Sequence, residues 1–238
     1  MDISSEIQLQ RDYYARTAGI YEDLHVQKDD EHYFALAWMA ALVGQYGYHS
    51  VLDVGSGTGR GLIFLKTMFP ELRVVGVEPS SELRQIGYDK GLSREELVSG
   101  DALDLSFADG SFDLVCEFGV LHHVKYPRQM LSEMLRVAKS GIFVSDSNHF
   151  ACGSLPNQLA KRFLRSLHLW KAAYWLRTGG KGYGISEGDG LSYAYSVFDD
   201  YELIQNRCQQ VHMLNTNGTG ADLFCSAPNV AVFGRKRP

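Results

Sequence analysis

Short apolar runs alternate along this chain with longer amphipathic stretches. The amphipathic stretches predict helices over 58–69, 81–90 and 128–139, where proline and glycine mark starts and ends. The apolar runs predict strands over 51–54, 73–77, 97–102, 112–117 and 141–146. Such an alternation of strand and helix is typical of an α/β fold, in which helices cover both faces of a mostly parallel, doubly wound sheet.

The flanks of this alternating core predict additional elements. Residues 1–25 and 30–46 predict two helices, so that 1–46 form an N-terminal helical cap. After the fifth strand, residues 147–198 predict an insertion, followed by a helix over 199–208 and strands over 211–216 and 229–234. With 238 residues and 45% apolar content, we expect 1–238 to fold as a single domain.

The insertion begins with an unusually basic stretch. Residues 147–186 contain no Asp or Glu and six Lys or Arg residues, a local charge of +6 that leaves −11 for the remainder. Ser154 and Pro156 can open a helix that Gly179 ends, with an aromatic and aliphatic stripe on one face. It is either a lid over the substrate side of the sheet with solvated basic residues, or a contact for an anionic substrate or membrane surface.

The first strand runs directly into a glycine-rich turn. The segment from Asp53 reads D-V-G-S-G-T-G, and glycines at such a turn let the backbone approach a ligand while the following helix presents free N–H groups. A dinucleotide fingerprint starting at Gly55 would need glycine at position 60, where this chain has Arg60. Three acids, Glu78, Asp101 and Glu117, follow the next strands and so belong at one edge of the sheet.

These segments together resemble the class I S-adenosylmethionine-dependent methyltransferases, in the type 11 branch of small-molecule enzymes that includes ubiquinone and menaquinone biosynthesis. The resemblance covers roughly residues 13–145, and also rests on G-V-E-P-S at 76–80, G-D-A at 100–102 and V-L-H-H-V at 120–124. Ser140 departs from it, because the family usually has proline there.

The resemblance implies a Rossmann-like sheet of seven strands whose last strand is antiparallel. It implies S-adenosylmethionine as cofactor and S-adenosylhomocysteine as product, with Glu78 on the ribose hydroxyls and Asp101 on the adenine amino group. The residues expected to bind the cofactor are Asp53, Gly55, Gly57, Gly59, Glu78, Pro79, Asp101, Ala102, Glu117, Tyr14 and Tyr21.

Candidate catalytic residues follow the fourth strand. His122 and His123 lie where the family pattern places residues near the transferred methyl, so one of them, preferably His122, could accept a proton from the acceptor. Alternatively, both are structural. Tyr14 and Tyr21 are seven residues apart on one predicted helix face. They either close the site over the cofactor, with one hydrogen-bonding His122, or pack as core residues.

Acceptor-binding candidates lie further along the chain. Residues 184–195 combine glycines with Glu187, Asp189 and Tyr193, and Asn148 ends the fifth strand. These side chains either contact the acceptor or belong to solvated turns and caps. The spacing of acids and histidines does not form a convincing metal site, so we expect no metal.

Composition limits the functional classes. A net charge of −5 gives no general affinity for nucleic acid, and the start of the chain lacks the pattern of a secretory leader. No stretch approaches the length of a membrane span, and the four cysteines form no C-x-x-C pair, so we expect a cytoplasmic protein.

The sequence therefore predicts methyl transfer from S-adenosylmethionine to a small-molecule acceptor. The acceptor could be a sugar hydroxyl, a phenol or quinone-type ring, or an amine, and could be lipid-linked or anionic. The alternatives are a catalytically silent binding module for the cofactor, or an enzyme of this fold with different chemistry. Oligomeric state is left open.

Overall fold

A computed structural model describes residues 3–22 and 30–237. Its helices are α1 (Ile3–Thr17), α2 (Glu31–Tyr46), α3 (Arg60–Met68), α4 (Ser81–Asp89), α5 (Pro127–Val137), α6 (Leu155–Ser166), α7 (Trp170–Arg177), α8 (Tyr201–Arg207) and α9 (Leu223–Ser226). Its strands are β1 (Ser50–Val54), β2 (Arg73–Val77), β3 (Leu97–Val98), β4 (Phe112–Phe118), β5 (Ala138–Ser147), β6 (Gly184–Ser186), β7 (Gly190–Ser192), β8 (Cys208–Asn217) and β9 (Asn229–Lys236).

Seven of these strands form one sheet in the order β3-β2-β1-β4-β5-β9-β8. The pairs from β3 to β5 are parallel, whereas β9 runs antiparallel to both β5 and β8. From β1 the successive strands β2 and β3 are added on one side of the sheet, whereas β4 and β5 are added on the other. Ligands of open α/β sheets bind at such a switch point, beside the carboxyl ends of the two central strands, here β1 and β4. The predicted fold class, including the antiparallel last strand, is confirmed.

Side chains of the central strands alternate between two cores. Leu52 and Val54 of β1 pack into the core that α5 covers, whereas Val51 packs into the core with α2 and α3. Because successive strand residues point to opposite faces, a continuous apolar run such as 51–54 indicates a strand buried on both sides.

The basic stretch forms two helices where the sequence predicted one. His168 has a φ of 59°, which is incompatible with continuing α6. The amide of His168 donates to the carbonyl of Arg165, and that of Leu169 donates to the carbonyl of Leu164, closing the end of the first helix. The chain then restarts as α7 at Trp170.

The other differences are local. The strand expected over 97–102 is limited to Leu97–Val98, because Asp101 turns back to form a bridge with Asp104. The expected capping box before α8 is wrong, since the Asp200 side chain makes no cap and instead pairs with Arg128 at 3.5 Å. Residues 184–192 form the two-stranded hairpin β6–β7 instead of an irregular loop. Within residues 3–22 and 30–237, no helix is long and apolar enough to cross a membrane.

The helices of the insertion pack beside a short 3-10 turn at His149–Ala151, directly after β5. The His149 ring lies between Phe150, Trp170 and Tyr174, with ring centroids 5.2 to 6.2 Å away. Burial, reinforced by the positive charges of Lys161 and Arg177, lowers the pKa of His149 to about 4. The folded state therefore keeps this imidazole neutral at pH values where the unfolded chain takes up a proton.

We expect this histidine to make the fold acid-sensitive. The pKa of His149 is lower in the folded state than the unfolded value of about 6.5. The free energy of unfolding that this group contributes is therefore fully present above pH 6.5 and is lost as the pH falls toward 4, by about 2 kcal/mol at pH 5. Urea unfolding at pH 7 and pH 5 should show a smaller loss for His149→Phe than for the parent. The exposed His49 provides the control, His49→Gln. Identical losses in all three proteins would contradict the assignment.

Candidate functional site

The glycine turn after β1 is held against the end of β2. The amides of Gly55 and Ser56 both donate to the carbonyl of Val77. Gly57 has a φ of 57°, and a Cβ there would lie 2.9 Å from the hydroxyl oxygen of Tyr21. The turn therefore requires glycine both for its left-handed backbone and for the close approach of the Tyr21 side chain.

Glu78 closes this turn from the other side. Its carboxylate accepts hydrogen bonds from the amide of Gly57 at 3.0 Å and from the amide of Ser80 at 2.8 Å, and only 5% of the residue is exposed. Burial raises the pKa of Glu78 to about 7, against the lowering effect of those two amides. The carboxylate is thus fixed in position while it keeps acceptor capacity toward the adjoining cavity.

A first cavity of about 190 Å³ lies beside Glu78. Several residues predicted to bind the cofactor line it together: Tyr14, Tyr21, Gly55, Glu78, Pro79, Asp101 and Ala102. Its remaining walls include apolar side chains of Val77, Leu83, Val120 and Val124. An apolar cavity with a few convergent polar groups suits a nucleoside, whose base is flat and whose ribose carries two hydroxyls.

A second, more polar cavity of about 140 Å³ adjoins the first. The two cavities adjoin and share six lining residues: Tyr14, Tyr21, Gly55, Phe118, Gly119 and His123. The second cavity also contains Asp53, whose pKa burial raises to about 7, and Arg60, which pairs with Asp30 at 2.6 Å. Arg60 and His32 were not among the predicted site residues, although the position of Arg60 directly after the glycine turn could have indicated that it lies near the cofactor.

The two predicted histidines lie side by side in this second cavity, with ring centroids 4.0 Å apart. His122 Nδ1 lies 2.7 Å from the Asp146 carboxylate, and His123 Nδ1 lies 2.6 Å from the carbonyl oxygen of Leu191. Both Nε2 atoms face the Asp189 carboxylate, at 3.4 Å for His122 and 3.3 Å for His123. Asp189 comes from the β6–β7 turn, so this turn closes over the histidines.

The charges of this cluster are interdependent. Burial disfavours the imidazolium of His122, but the carboxylates of Asp146 and Asp189 outweigh it and hold the pKa of His122 well above its usual range. Burial likewise opposes ionisation of Asp146 and Asp189, yet the neighbouring histidines hold the pKa of both carboxyls below their usual range. In this closed arrangement, the two carboxylates on either side of His122 favour its protonated form.

The same groups have the donor types of a metal site. One ligand atom each from His122, His123 and Asp189 lie within 4.8 Å of one another. The ion pairs described above account for the arrangement without a metal, and the absence of a metal site stays a prediction.

The N-terminal helix secures the β6–β7 turn. The Gln10 side chain accepts a hydrogen bond from the amide of Leu191 at 2.6 Å, and the Tyr13 hydroxyl donates to the carbonyl of Glu187 at 3.0 Å. On the same helix, the Tyr14 ring packs against the rings of Tyr21 and His123, with ring centroids 5.9 and 6.3 Å away. Tyr14 therefore contacts His123, and the hydrogen bond from one of the two tyrosines to His122 stays a prediction.

Two predicted site residues are buried beneath the cavities and line neither of them. Glu117 is fully buried, and its two carboxylate oxygens accept from the amides of Val120 and Ser145. Asn148 is also fully buried, with its amide donating to carbonyls of the segment 223–227. Both therefore organise the backbone beneath the site.

Glu187 has an exposed side chain and contributes its carbonyl to Tyr13. Tyr193 does line the first cavity, where its hydroxyl donates to Glu6 at 2.9 Å. Gly59 and Gly57 shape the turn without lining a cavity.

The helical lid is not confirmed. In the described structure, neither cavity is lined by α6 or α7, and their cover comes from α1 and the β6–β7 hairpin instead.

A model of the methyltransferase-domain family matches residues 52–145, the span from the glycine turn through β5. Residues 52–145 form a class I S-adenosylmethionine-dependent methyltransferase domain of the type 11 branch. The cofactor of such a domain is S-adenosylmethionine. The glycine turn, Glu78, Asp101 and His122 all fall within this methyltransferase domain.

Curated relatives match over part of their length. The chain is 38% identical over 95 residues to a demethylmenaquinone methyltransferase of Roseiflexus sp. (strain RS-1), covering 40% of each chain. It is 29% identical over 154 residues to that of Thermotoga maritima, covering 65% of this chain and 63% of the relative. A match to the ajmaline N-methyltransferase of Rauvolfia serpentina is 33% identical and covers 42% of this chain and 36% of the relative. The matched region thus spans less than two thirds of these relatives.

Solved structures share the fold across most of the chain. A possible histamine N-methyltransferase from Thermotoga maritima has a TM-score of 0.58 at 19% identity, covering 94% of this chain and 99% of the other. Magnesium protoporphyrin IX methyltransferase from Synechocystis, solved with bound S-adenosylhomocysteine, has a TM-score of 0.60 at 17% identity, covering 97% and 99%. At these identities the likeness shows the fold alone.

We expect Asp189→Asn to lower the pKa of His122, because the substitution removes one of the two carboxylates that stabilise the imidazolium. The substitution leaves the other titratable groups near this ring unchanged: Asp146, Glu117, His123 and His32. Titration of the His122 ring by NMR measures the shift, with Glu187→Gln on the same turn as control. A pKa unchanged in Asp189→Asn, or shifted equally in Glu187→Gln, would show that Asp189 does not act on His122.

Proposed function

We propose that this protein transfers the methyl group of S-adenosylmethionine to a small-molecule acceptor. The observation that carries the proposal is that two adjoining cavities share Tyr14 and Tyr21 as lining residues. One cavity has the groups that suit an adenosine, and the other ends at the histidine pair. A cofactor lying across both would direct its sulfonium methyl toward His122 and His123.

The cofactor-binding roles follow from the two sets of lining residues. In the first cavity, Asp101 and Ala102 would flank the adenine and Glu78 would accept the ribose hydroxyls. In the second, Asp53 and Arg60 have opposite charges that suit the ammonium and carboxylate of the methionine moiety. An ammonium beside Asp53 would also lower the raised pKa of that carboxyl, so cofactor binding near neutral pH would release protons.

Catalysis in this site would combine alignment with removal of one proton. The acceptor's lone pair attacks the methyl carbon, the bond from that carbon to sulfur breaks, and sulfur keeps the electron pair as S-adenosylhomocysteine forms. Effective molarities for oriented reactants reach on the order of 10⁵ to 10⁸ M, so positioning accounts for much of the rate. His122, held at Nδ1 by Asp146, would take the acceptor's proton on Nε2.

Asp189 has to change partner for that step. In the closed arrangement its carboxylate faces Nε2 of His122, the atom that would receive the proton. An acceptor hydroxyl, phenol or amine placed between them would interrupt this contact and lower the pKa of His122. The proton already on Nε2 would then leave to solvent, and the neutral Nε2 would be able to take the acceptor's own proton as the methyl group is transferred. Tyr14 and Tyr21 would meanwhile exclude water from the sulfonium.

The acceptor class is inferred from relatives and from the polarity of the second cavity. The curated relatives are named for demethylmenaquinone and ajmaline, both small molecules. We propose an acceptor of this size with one ionisable hydroxyl or amine, with a phenol or quinone-type ring as the first candidate. A lipid-linked form of such a ring fits the same proposal. The free cysteines of the described chain fit the cytoplasm as the compartment.

The direct test is formation of S-adenosylhomocysteine from S-adenosylmethionine with a panel of phenols, quinols, sugars and amines. We expect turnover with at least one class, unaffected by a chelator, and a loss of roughly 10² to 10⁴ in kcat for His122→Gln with cofactor affinity retained. His212→Gln, at an exposed position, is the control. Tight cofactor binding without turnover on any acceptor would favour the silent binding module instead.

Glu78→Gln should weaken cofactor binding. The substitution keeps the side chain's shape but removes its charge, so we expect a loss of roughly 10- to 100-fold in affinity, in line with about 1.5 to 3 kcal/mol for a hydrogen bond to a charged group. Calorimetric titration with S-adenosylmethionine and S-adenosylhomocysteine measures it. Glu95→Gln, at an exposed position, should bind like the parent. Unchanged affinity in Glu78→Gln with an intact fold would remove Glu78 from the ribose site.

A further inference from the structure

Helix α6 has its basic residues turned toward the protein. Lys161 is only 3% exposed, and its Nζ donates to the carbonyls of His149 and Cys152. Arg162 Nη1 donates to the carbonyl of Cys225 at 3.3 Å. These cations therefore bond to backbone carbonyls of residues 149, 152 and 225, whereas solvated basic residues were one of the two expectations from the sequence.

Arg165 extends the same inward face. Its guanidinium lies 4.5 Å from the ring centroid of Phe150 and 5.2 Å from that of Phe224, and it pairs with Asp199 at 2.7 Å. Stacking and ion pairing together fix this side chain between the rings and the carboxylate. The inward face of α6 thus carries cations that contact backbone carbonyls, aromatic rings and a carboxylate.

The outward face of α6 is apolar. Leu155, Leu159 and Phe163 recur every four residues, which places them on one face of the helix, and they are 63%, 56% and 64% exposed. The neighbouring α7 adds Trp175 and Leu176, which are 53% and 70% exposed. We call these five side chains the outer face. Large apolar side chains left in water on two helices that pack together indicate a contact surface.

Charge around the outer face identifies its partner. Lys171, Arg177 and Lys181 are exposed on or just after α7, and residues 147–186 include no acid. A second copy of this chain docking through the same face would bring two such basic surfaces together, which is unfavourable. An anionic lipid surface offers both an apolar interior for the leucines and aromatic rings and negative headgroups for the cations.

We propose that the outer face docks this protein on the surface of an anionic lipid membrane. Leu155, Leu159, Phe163, Trp175 and Leu176 would insert at the level between headgroups and acyl chains, with the three cations among the headgroups. This inference stands on the insertion alone and does not require methyl transfer. Docking would also bring the candidate site near the membrane, because the turn at His149–Ala151 joins α6 to the end of β5, which supplies Asp146.

Vesicle sedimentation of the full-length protein tests the docking. The probes are vesicles of phosphatidylcholine alone and vesicles with phosphatidylglycerol added, at low and high salt. We expect binding to the anionic vesicles at least about tenfold tighter than to the neutral ones, weakening with salt. The double variant Phe163→Ser/Leu176→Ser should bind roughly 100-fold more weakly, since each of the two inserted side chains contributes about a factor of ten.

A matched pair controls for the loss of any exposed apolar residue. Phe34 and Met68 are 53% and 52% exposed on other helices, so Phe34→Ser/Met68→Ser should bind vesicles like the parent. Circular dichroism confirms that each variant is folded. The proposal is overturned by no binding to anionic vesicles, by equal losses in both double variants, or by a concentration-dependent dimer that Phe163→Ser/Leu176→Ser abolishes.

Discussion

The buried carboxylate of Asp146 is the contact on which the site depends. It has no exposed surface, and it holds Nδ1 and the amide of His122 as well as the amide of Ser147. This joins the end of β5 to the turn after β4. His122 then reaches Asp189 on the β6–β7 turn, and Gln10 binds the same hairpin to α1. Through these contacts one carboxylate in the sheet determines where the cover of both cavities lies.

The sequence predicted the features that depend on local pattern. Continuous apolar runs and glycines before a helix are local signals, so the strands, the glycine turn and the positions of Glu78 and Asp101 after their strands could be anticipated from the pattern. The seven-stranded sheet with its antiparallel last strand was anticipated from the resemblance alone. The contact between His122 and Asp189 could not be anticipated from the sequence, because it joins residues far apart in the chain. Side-chain direction was equally inaccessible: Glu117 and Asn148 end strands as expected but point into the protein.

The insertion shows a related limit. Periodicity identified an apolar stripe that includes Leu159 and Phe163, but it cannot say which side of a helix faces inward. Ordinarily the apolar side of a helix faces inward, because burial of apolar area stabilises the fold. Here carbonyls and aromatic rings of 149–152 and 224–225 create a surface that suits cations, so Lys161 and Arg165 occupy it and the stripe faces outward.

Tyr14 and Tyr21 form walls of both cavities at once. A molecule in either cavity would therefore contact side chains that a molecule in the other cavity also contacts. Such sharing would couple the two binding equilibria, and any coupling is reciprocal: whatever factor the cofactor adds to the acceptor's affinity, the acceptor adds to the cofactor's. The affinity of each ligand would then depend on whether the other is already bound.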